Sequence, residues 1–153
     1  MALEFTLPAH DGSRIKISAL RGKWVVLYFY PRDNTPGCTR EACDFRDASK
    51  ELQKRGAVVL GISGDSLASH EKFRAAQNLN FPLLSDADHA VAEKYGAWRE
   101  KVLYGKKYLG IQRSTFLIDP RGKVAVVWKN VRVDGHAEKV LEALDEQIAA
   151  ESS

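Results

Sequence analysis

At 153 residues the chain has the length of one ordinary domain, enough to bury roughly 68–70% of its unfolded surface without a metal or disulfide staple. With 44% hydrophobic residues, 28% charged residues, 11 Gly and 5 Pro, it falls outside the disordered, collagenous and disulfide-scaffold classes. A net charge of +3 is too mild to imply nucleic acid or an anionic membrane surface as partner, unless the basic residues gather on one face.

From the N-terminus, residues 3–7 and 14–17 alternate in polarity around His10-Asp11-Gly12, where Asp and Gly supply turn chemistry, and predict a small hairpin at the periphery. Glu4, His10, Asp11, Arg14 and Lys16 interrupt the apolar core that a signal peptide needs, so the expected location is cytoplasmic. The longest apolar run, residues 24–30, is far short of the ~20 that a spanning helix requires, and no membrane partner is expected. That run and residues 57–63 lack polar alternation and are rich in β-branched and aromatic residues, as strands buried on both faces of a parallel sheet should be. Between them, residues 38–55 place Ala42, Phe45, Ala48 and Leu52 at helical spacing and stop before Gly56, completing a βαβ unit.

A second helix is predicted over residues 67–78, and a third, capped by Asp86 or Asp88, ends near Tyr95-Gly96. Residues 98–112 read as irregular, with Arg99, Lys101, Lys106, Lys107 and Arg113 set against Glu100. Residues 114–118 and 123–128 flank Asp119-Pro-Arg-Gly122, a type I turn pattern, and form a hairpin. The last segment, 135–150, puts Val140, Leu141, Leu144 and Ile148 on one helix face with Asp134 as cap. No linker or repeat divides this order, so one domain is expected, with a mixed sheet flanked by helices in the thioredoxin-like α/β arrangement.

The candidate site follows from where the first long strand ends. In an open α/β sheet, functional groups gather beyond the carboxyl ends of the strands, and Pro31-Arg-Asp-Asn-Thr35-Pro-Gly-Cys38 puts Cys38 in the first turn of the crossover helix. Unpaired backbone N–H groups and the positive end of the helix dipole favour a thiolate there, more so beside an arginine. Gly37 allows backbone to come close to a ligand, and the Thr35 hydroxyl can donate to sulfur or to a substrate oxygen.

An inert reading stands beside this one, in which Cys38 is a small buried hydrophobe. His10, His70, His89 and His136 read as surface or capping groups, and none is an evident base for a Cys–His nucleophile. Cys43 follows five positions later. In a continuous helix the two Cα atoms lie roughly 8–9 Å apart. A disulfide tolerates about 4.4–6.8 Å, so bridging requires the helix start to unwind. Two cysteines are too few for a structural zinc site, and the spacing is not the Cys-x-x-Cys of a dithiol reductase.

The segment Pro31-Arg-Asp-Asn-Thr35-Pro-Gly-Cys38-Thr-Arg-Glu-Ala-Cys43 resembles the peroxiredoxin motif Pro-x-x-x-Thr-x-x-Cys, and most closely the bacterioferritin-comigratory, or Q-type, subfamily, which carries a second cysteine five residues on. Phe81-Pro-Leu-Leu-Ser-Asp86 and Arg113-Ser-Thr-Phe-Leu-Ile-Asp119 also resemble family segments. The resemblance implies a thiol peroxidase in which Cys38 is peroxidatic, Cys43 resolving and Arg113 the guanidinium that completes the site. It further implies that Thr35 orients the peroxide, that Pro31 shields the sulfur and that Glu41 has a secondary role. Hydrogen peroxide and organic hydroperoxides are the implied substrates. Thioredoxin or a similar dithiol is the implied reductant, and neither haem nor metal is expected. The implied resolution within one chain predicts a monomer. A non-enzymatic redox sensor that uses the same oxidation as a signal remains the competing class.

Overall fold

The structure, a computed structural model, describes residues 2–152. Its centre is a five-stranded mixed sheet in the order β5-β4-β3-β8-β9. Strands β3 (Trp24–Phe29), β4 (Ala57–Ser63) and β5 (Leu83–Ser85) run parallel. Strands β8 (Ser114–Ile118) and β9 (Val124–Lys129) continue the sheet antiparallel from the other side of β3. This is the thioredoxin-like arrangement that the order of elements predicts.

Alternate side chains of β3 enter two separate apolar layers, which is why its sequence shows no polar alternation. Trp24, Val26 and Tyr28 pack with Ala42, Phe45 and Leu52 of α1 (Pro36–Lys54), Phe73 of α2 (Leu67–Ala76), and Val140 and Leu144 of α4 (His136–Ser152). Val25, Leu27 and Phe29 face Val91 and Ala92 of α3 (Ala90–Lys94), together with Phe5, Leu7, Ala9 and Ile17. The N-terminal hairpin, β1 (Thr6–Pro8) and β2 (Arg14–Lys16), is therefore no peripheral flap. Leu7 of β1 and the flanking Phe5, Ala9 and Ile17 belong to one core layer, packed with α3 and Tyr95 against the second face of the sheet.

Helix α1 ends at Lys54, and Gly56 adopts φ +73°, the left-handed conformation that lets the chain turn at once into β4. Ser66 caps α2 by accepting from Ser69 N at 3.2 Å. This helix is shorter than expected and stops at Gln77, before Asn78 turns left-handed. Asp86 does cap α3, accepting from Val91 N at 3.2 Å and Ala92 N at 2.8 Å. Asp134, expected to cap α4, pairs across to Arg40 on α1.

The clearest departure lies in residues 98–112. Rather than irregular loop they form an antiparallel ribbon, β6 (Trp98–Leu103) and β7 (Lys106–Ile111), joined through Tyr104 and Gly105 at φ +51° and +77°. Two successive positive φ values make the tight turn that suits a two-residue hairpin. Its outer end buries neither face, so the hydrophobic alternation that marks a strand in sequence is missing.

Candidate active site

Thr35 is extended and ends the loop that leaves β3, and Pro36 opens α1, where its missing N–H costs no hydrogen bond. Cys38 is then the third helical residue and is 2% exposed. Phe29 pairs with Ser114 in the antiparallel register of β3 and β8. That pairing sets Arg113, the residue just before β8, beside the loop that leads to Cys38. Its guanidinium donates from Nη2 to Cys38 Sγ at 3.3 Å and from Nη1 to Glu41 Oε1 at 2.6 Å. Glu41 lies one turn after Cys38 on the same helix face, which allows one fork to hold both.

Glu41 is 1% exposed, and burial pushes its carboxyl up to about 7 even though the Arg113 charge works the other way. Its second oxygen, Oε2, is buried without a hydrogen-bond partner. For Arg113, burial opposes the charge, but Glu41 and Cys38 beside it outweigh that and raise its pKa. A Cβ on Gly37 would stand 3.3 Å from Arg113 Nη2, so the absent side chain makes room for the guanidinium.

The loop between β3 and α1 is tied down from below. Asp33 is buried; its carboxylate accepts from Tyr30 Oη at 2.5 Å and Ser69 Oγ at 2.8 Å, and lies 2.7 Å from His70 Nδ1. The other nitrogen of His70, itself fully buried, is 2.9 Å from Leu84 O. The Asp33 backbone N–H donates to Asp65 Oδ2 at 2.7 Å. Asp33, Asp65 and His70 bring ligand-type atoms within 4.8 Å of one another, but these atoms are already engaged in the hydrogen bonds just described. His70 and His136, which read from sequence as surface or capping residues, are both buried, because each finds a polar partner inside: Asp33 for one, Thr115 for the other.

Above the loop, Pro31, Thr35, Trp98, Tyr108 and Ile111 line an open groove of about 420 Å³. The Thr35 hydroxyl donates to Arg32 O at 3.0 Å, so toward the groove its oxygen offers lone pairs rather than the hydrogen that the sequence alone suggests. Lys101 also reaches this groove; burial and the Arg113 charge lower its pKa, while Cys38 acts the other way. Cys43, half-buried, donates to Gln77 Oε1 at 3.5 Å. Both cysteines are free within one unbroken helix.

The sequence pattern of the AhpC/TSA family matches residues 1–127. A putative peroxiredoxin Bcp of Coxiella burnetii is 53% identical over 137 residues, which cover 90% of this chain and 91% of that protein. Peroxiredoxin Bcp of Bacillus subtilis is 46% identical, covering 94% and 91%. This chain belongs to the bacterioferritin-comigratory peroxiredoxins. A solved structure of the bacterioferritin comigratory protein of Xanthomonas campestris, studied for alkyl peroxide reduction, superposes with a TM-score of 0.90 at 45% identity, covering 94% of this chain and 91% of that one.

Within this peroxiredoxin the structure brings Cys38, Arg113 and Glu41 into direct contact, places Thr35 and Pro31 on the groove wall, and sets Cys43 apart against Gln77. Sequence reasoning missed Asp33 and His70. Neither carries a spacing signal, since their pairing spans 37 residues and depends on α2 packing beneath the loop.

Proposed function

We propose that this peroxiredoxin reduces hydrogen peroxide and organic hydroperoxides at Cys38 and recycles itself through Cys43, as an atypical two-cysteine enzyme. The observation that carries the reading is the Arg113 Nη2 to Cys38 Sγ hydrogen bond at the first turn of α1. The alkyl peroxide reduction studied in the Xanthomonas campestris relative supports the organic substrates.

In the first step the Cys38 thiolate attacks one peroxide oxygen and the O–O bond breaks. Sulfur becomes the sulfenic acid S–OH, and the departing alkoxide or hydroxide takes up a proton as alcohol or water. Thr35 Oγ accepts from the hydroperoxyl hydrogen and aligns the O–O bond with the sulfur. The Arg113 fork, held by Glu41, stabilises the charge that gathers on the leaving oxygen. Pro31 limits water at the mouth.

Cys43 then condenses with the sulfenic acid, forming an S–S bond and releasing water. In a continuous helix the two Cα atoms are roughly 8–9 Å apart, so the first turns of α1 must unwind before the sulfurs meet. A dithiol, thioredoxin by the family's habit, returns both cysteines to thiols by exchange. The working unit in this proposal is a monomer of one domain, in the cytoplasm, with an antioxidant role.

Stopped-flow peroxide consumption with reduced thioredoxin tests the scheme. With no rescuing thiol present, the Cys43→Ser variant should consume about one peroxide per chain and stall. A Cys38→Ser variant that keeps thioredoxin-coupled turnover overturns it.

A further inference from the structure

Five of the seven large apolar side chains exposed among the described residues sit on the β6–β7 ribbon: Val102, Leu103, Tyr104, Tyr108 and Leu109. The ribbon forms a sheet of its own and pairs with no other strand. Over residues 98–111 it carries Arg99, Lys101, Lys106 and Lys107 against Glu100, an excess equal to the +3 of the whole chain. The mild net charge is thus concentrated on one projection.

The register shows how these side chains are arranged. Val102 lies opposite Lys107 and Glu100 opposite Leu109, which puts Val102 and Leu109 on one face. Leu103 lies opposite Lys106 and Lys101 opposite Tyr108, which puts Leu103 and Tyr108 on the other. Tyr104, 97% exposed, forms the tip. Apolar groups therefore point off both faces and the end; Val102, Leu103 and Tyr108 each lie opposite a lysine, and Leu109 lies opposite Glu100.

We propose that the ribbon tip is an insertion element for anionic lipid bilayers. A folded protein partner docks on one face, whereas only a fluid medium surrounds both faces and the tip at once. Leucine and valine enter the acyl boundary, tyrosine settles at headgroup depth, and the lysines extend their aliphatic stems with their charges toward lipid phosphates. Each cation held at an anionic surface strengthens binding by about five-fold. No helix of the described residues is long or apolar enough to span a membrane, so the attachment is peripheral. It replaces the expectation of no membrane partner, which rested on the short apolar run and the mild net charge of the whole chain. The groove walled by Pro31 and Thr35 lies at the base of the ribbon, so insertion turns its mouth toward the bilayer.

Vesicle co-sedimentation of the full chain reads binding without turnover, so it stands or falls separately from the roles given to Cys38 and Cys43. Vesicles of phosphatidylglycerol in phosphatidylcholine should bind at least ten-fold more protein than phosphatidylcholine alone at low salt. The pair Leu103→Ser and Tyr104→Ser keeps the charge and should weaken this by about ten-fold or more. Lys106→Gln with Lys107→Gln should remove the preference for phosphatidylglycerol. Tyr104→Trp should give emission that shifts to the blue with phosphatidylglycerol vesicles. Circular dichroism melts and peroxide turnover in buffer, both unchanged, show that the variants fold. Equal binding or no binding to the two vesicle types overturns the proposal. So does binding indifferent to Leu103 and Tyr104, which marks a purely electrostatic surface. Capture by polyglutamate with no capture by vesicles also overturns it, and points to an acidic protein.

Discussion

Arg113 and Cys38 lie 75 residues apart in sequence and 3.3 Å apart in space. The contact is a product of sheet register: β8 must run antiparallel to β3 with Ser114 beside Phe29 for the guanidinium to reach the start of α1. The same fork grips Glu41 through its other terminal nitrogen, so sulfur and carboxylate share one cation. Lysine, a point charge without the fork, cannot serve both.

That sharing makes Arg113→Lys a strong test. Loss of a preorganised donor at the reacting oxygen typically costs 10²–10³ in rate. The second-order rate constant for peroxide, followed by stopped flow, should fall by about 100-fold or more. The variant should also be less stable than the parent, because Glu41 loses the ideal geometry of a buried ion pair. A rate within three-fold of the parent would mean that the hydrogen bond to sulfur does not act in catalysis.

Glu41 and His136 should tilt stability with pH in opposite directions. Burial raises Glu41 from 4.5 to about 7, so the folded chain keeps a proton that the unfolded chain releases. Its contribution is fully present below pH 4.5 and is lost as pH rises through 7. Burial and the nearby Lys139 and Arg113 charges lower His136 from 6.5 to about 4. Its contribution is intact above pH 6.5 and is lost as pH falls toward 4. The two shifts are of equal size and each corresponds to about 3 kcal/mol at most, reduced for His136 by solvent screening because it is less deeply buried than Glu41. Over pH 4.5–6.5 the two offset each other. Urea unfolding of Glu41→Gln should show stability that rises with pH across that window, and His136→Gln stability that falls. Two variants tilting the same way would refute the assignment.

How much of this was legible in the sequence depends on whether a feature is local. The βαβ unit, the helix stop at Gly56 and the hairpin at Asp119-Pro-Arg-Gly122 were readable because caps, turns and periodicity act over a few residues. The placement of Cys38 and Thr35 at the strand–helix junction was readable for the same reason, whereas Glu41 was marked only by the resemblance to the peroxiredoxin motif. The core role of Phe5 and Leu7 was not, because their short strand shows which face is apolar but not which sheet face needs covering. The β6–β7 ribbon was hidden because each of its faces mixes lysines with apolar residues and both faces are exposed, so the sequence shows no alternation. Asp33 and His70 were invisible as a pair, since nothing in sequence says that α2 will set a histidine under that loop.

His70 therefore offers a test of a residue that touches no substrate. Replacing it by Leu leaves the Asp33 carboxylate buried with its neutral donors, Tyr30 and Ser69, but without the imidazole. Leaving a buried polar group without its hydrogen-bond partner costs about 1–3 kcal/mol, and urea unfolding should show a loss of that order. The loop it anchors carries Thr35, so the peroxide step should slow as well. His70→Gln, which can still bridge Asp33 and Leu84, should recover most of the stability. If the glutamine variant is as unstable as the leucine variant, filled volume rather than hydrogen bonding explains the site.

The last test concerns what holds Cys43 in place before it is needed. Arg46 Nη1 donates to Gln77 O at 2.6 Å, Cys43 donates to Gln77 Oε1, and Asn80 Nδ2 donates to Arg46 O at 3.4 Å. Together these bonds latch the second and third turns of α1 to the chain after α2. In the proposed cycle that segment must loosen for Cys43 to approach the sulfenic acid. A hydrogen bond of about 1 kcal/mol sets a factor of about five in such an opening. Arg46→Leu should therefore form the Cys38–Cys43 disulfide several-fold faster. It should also accumulate less sulfinic acid at high peroxide, measured by quenched mass spectrometry, while the first, peroxide-consuming phase stays unchanged. Slower disulfide formation in this variant would show that Arg46 guides the transition rather than restraining it.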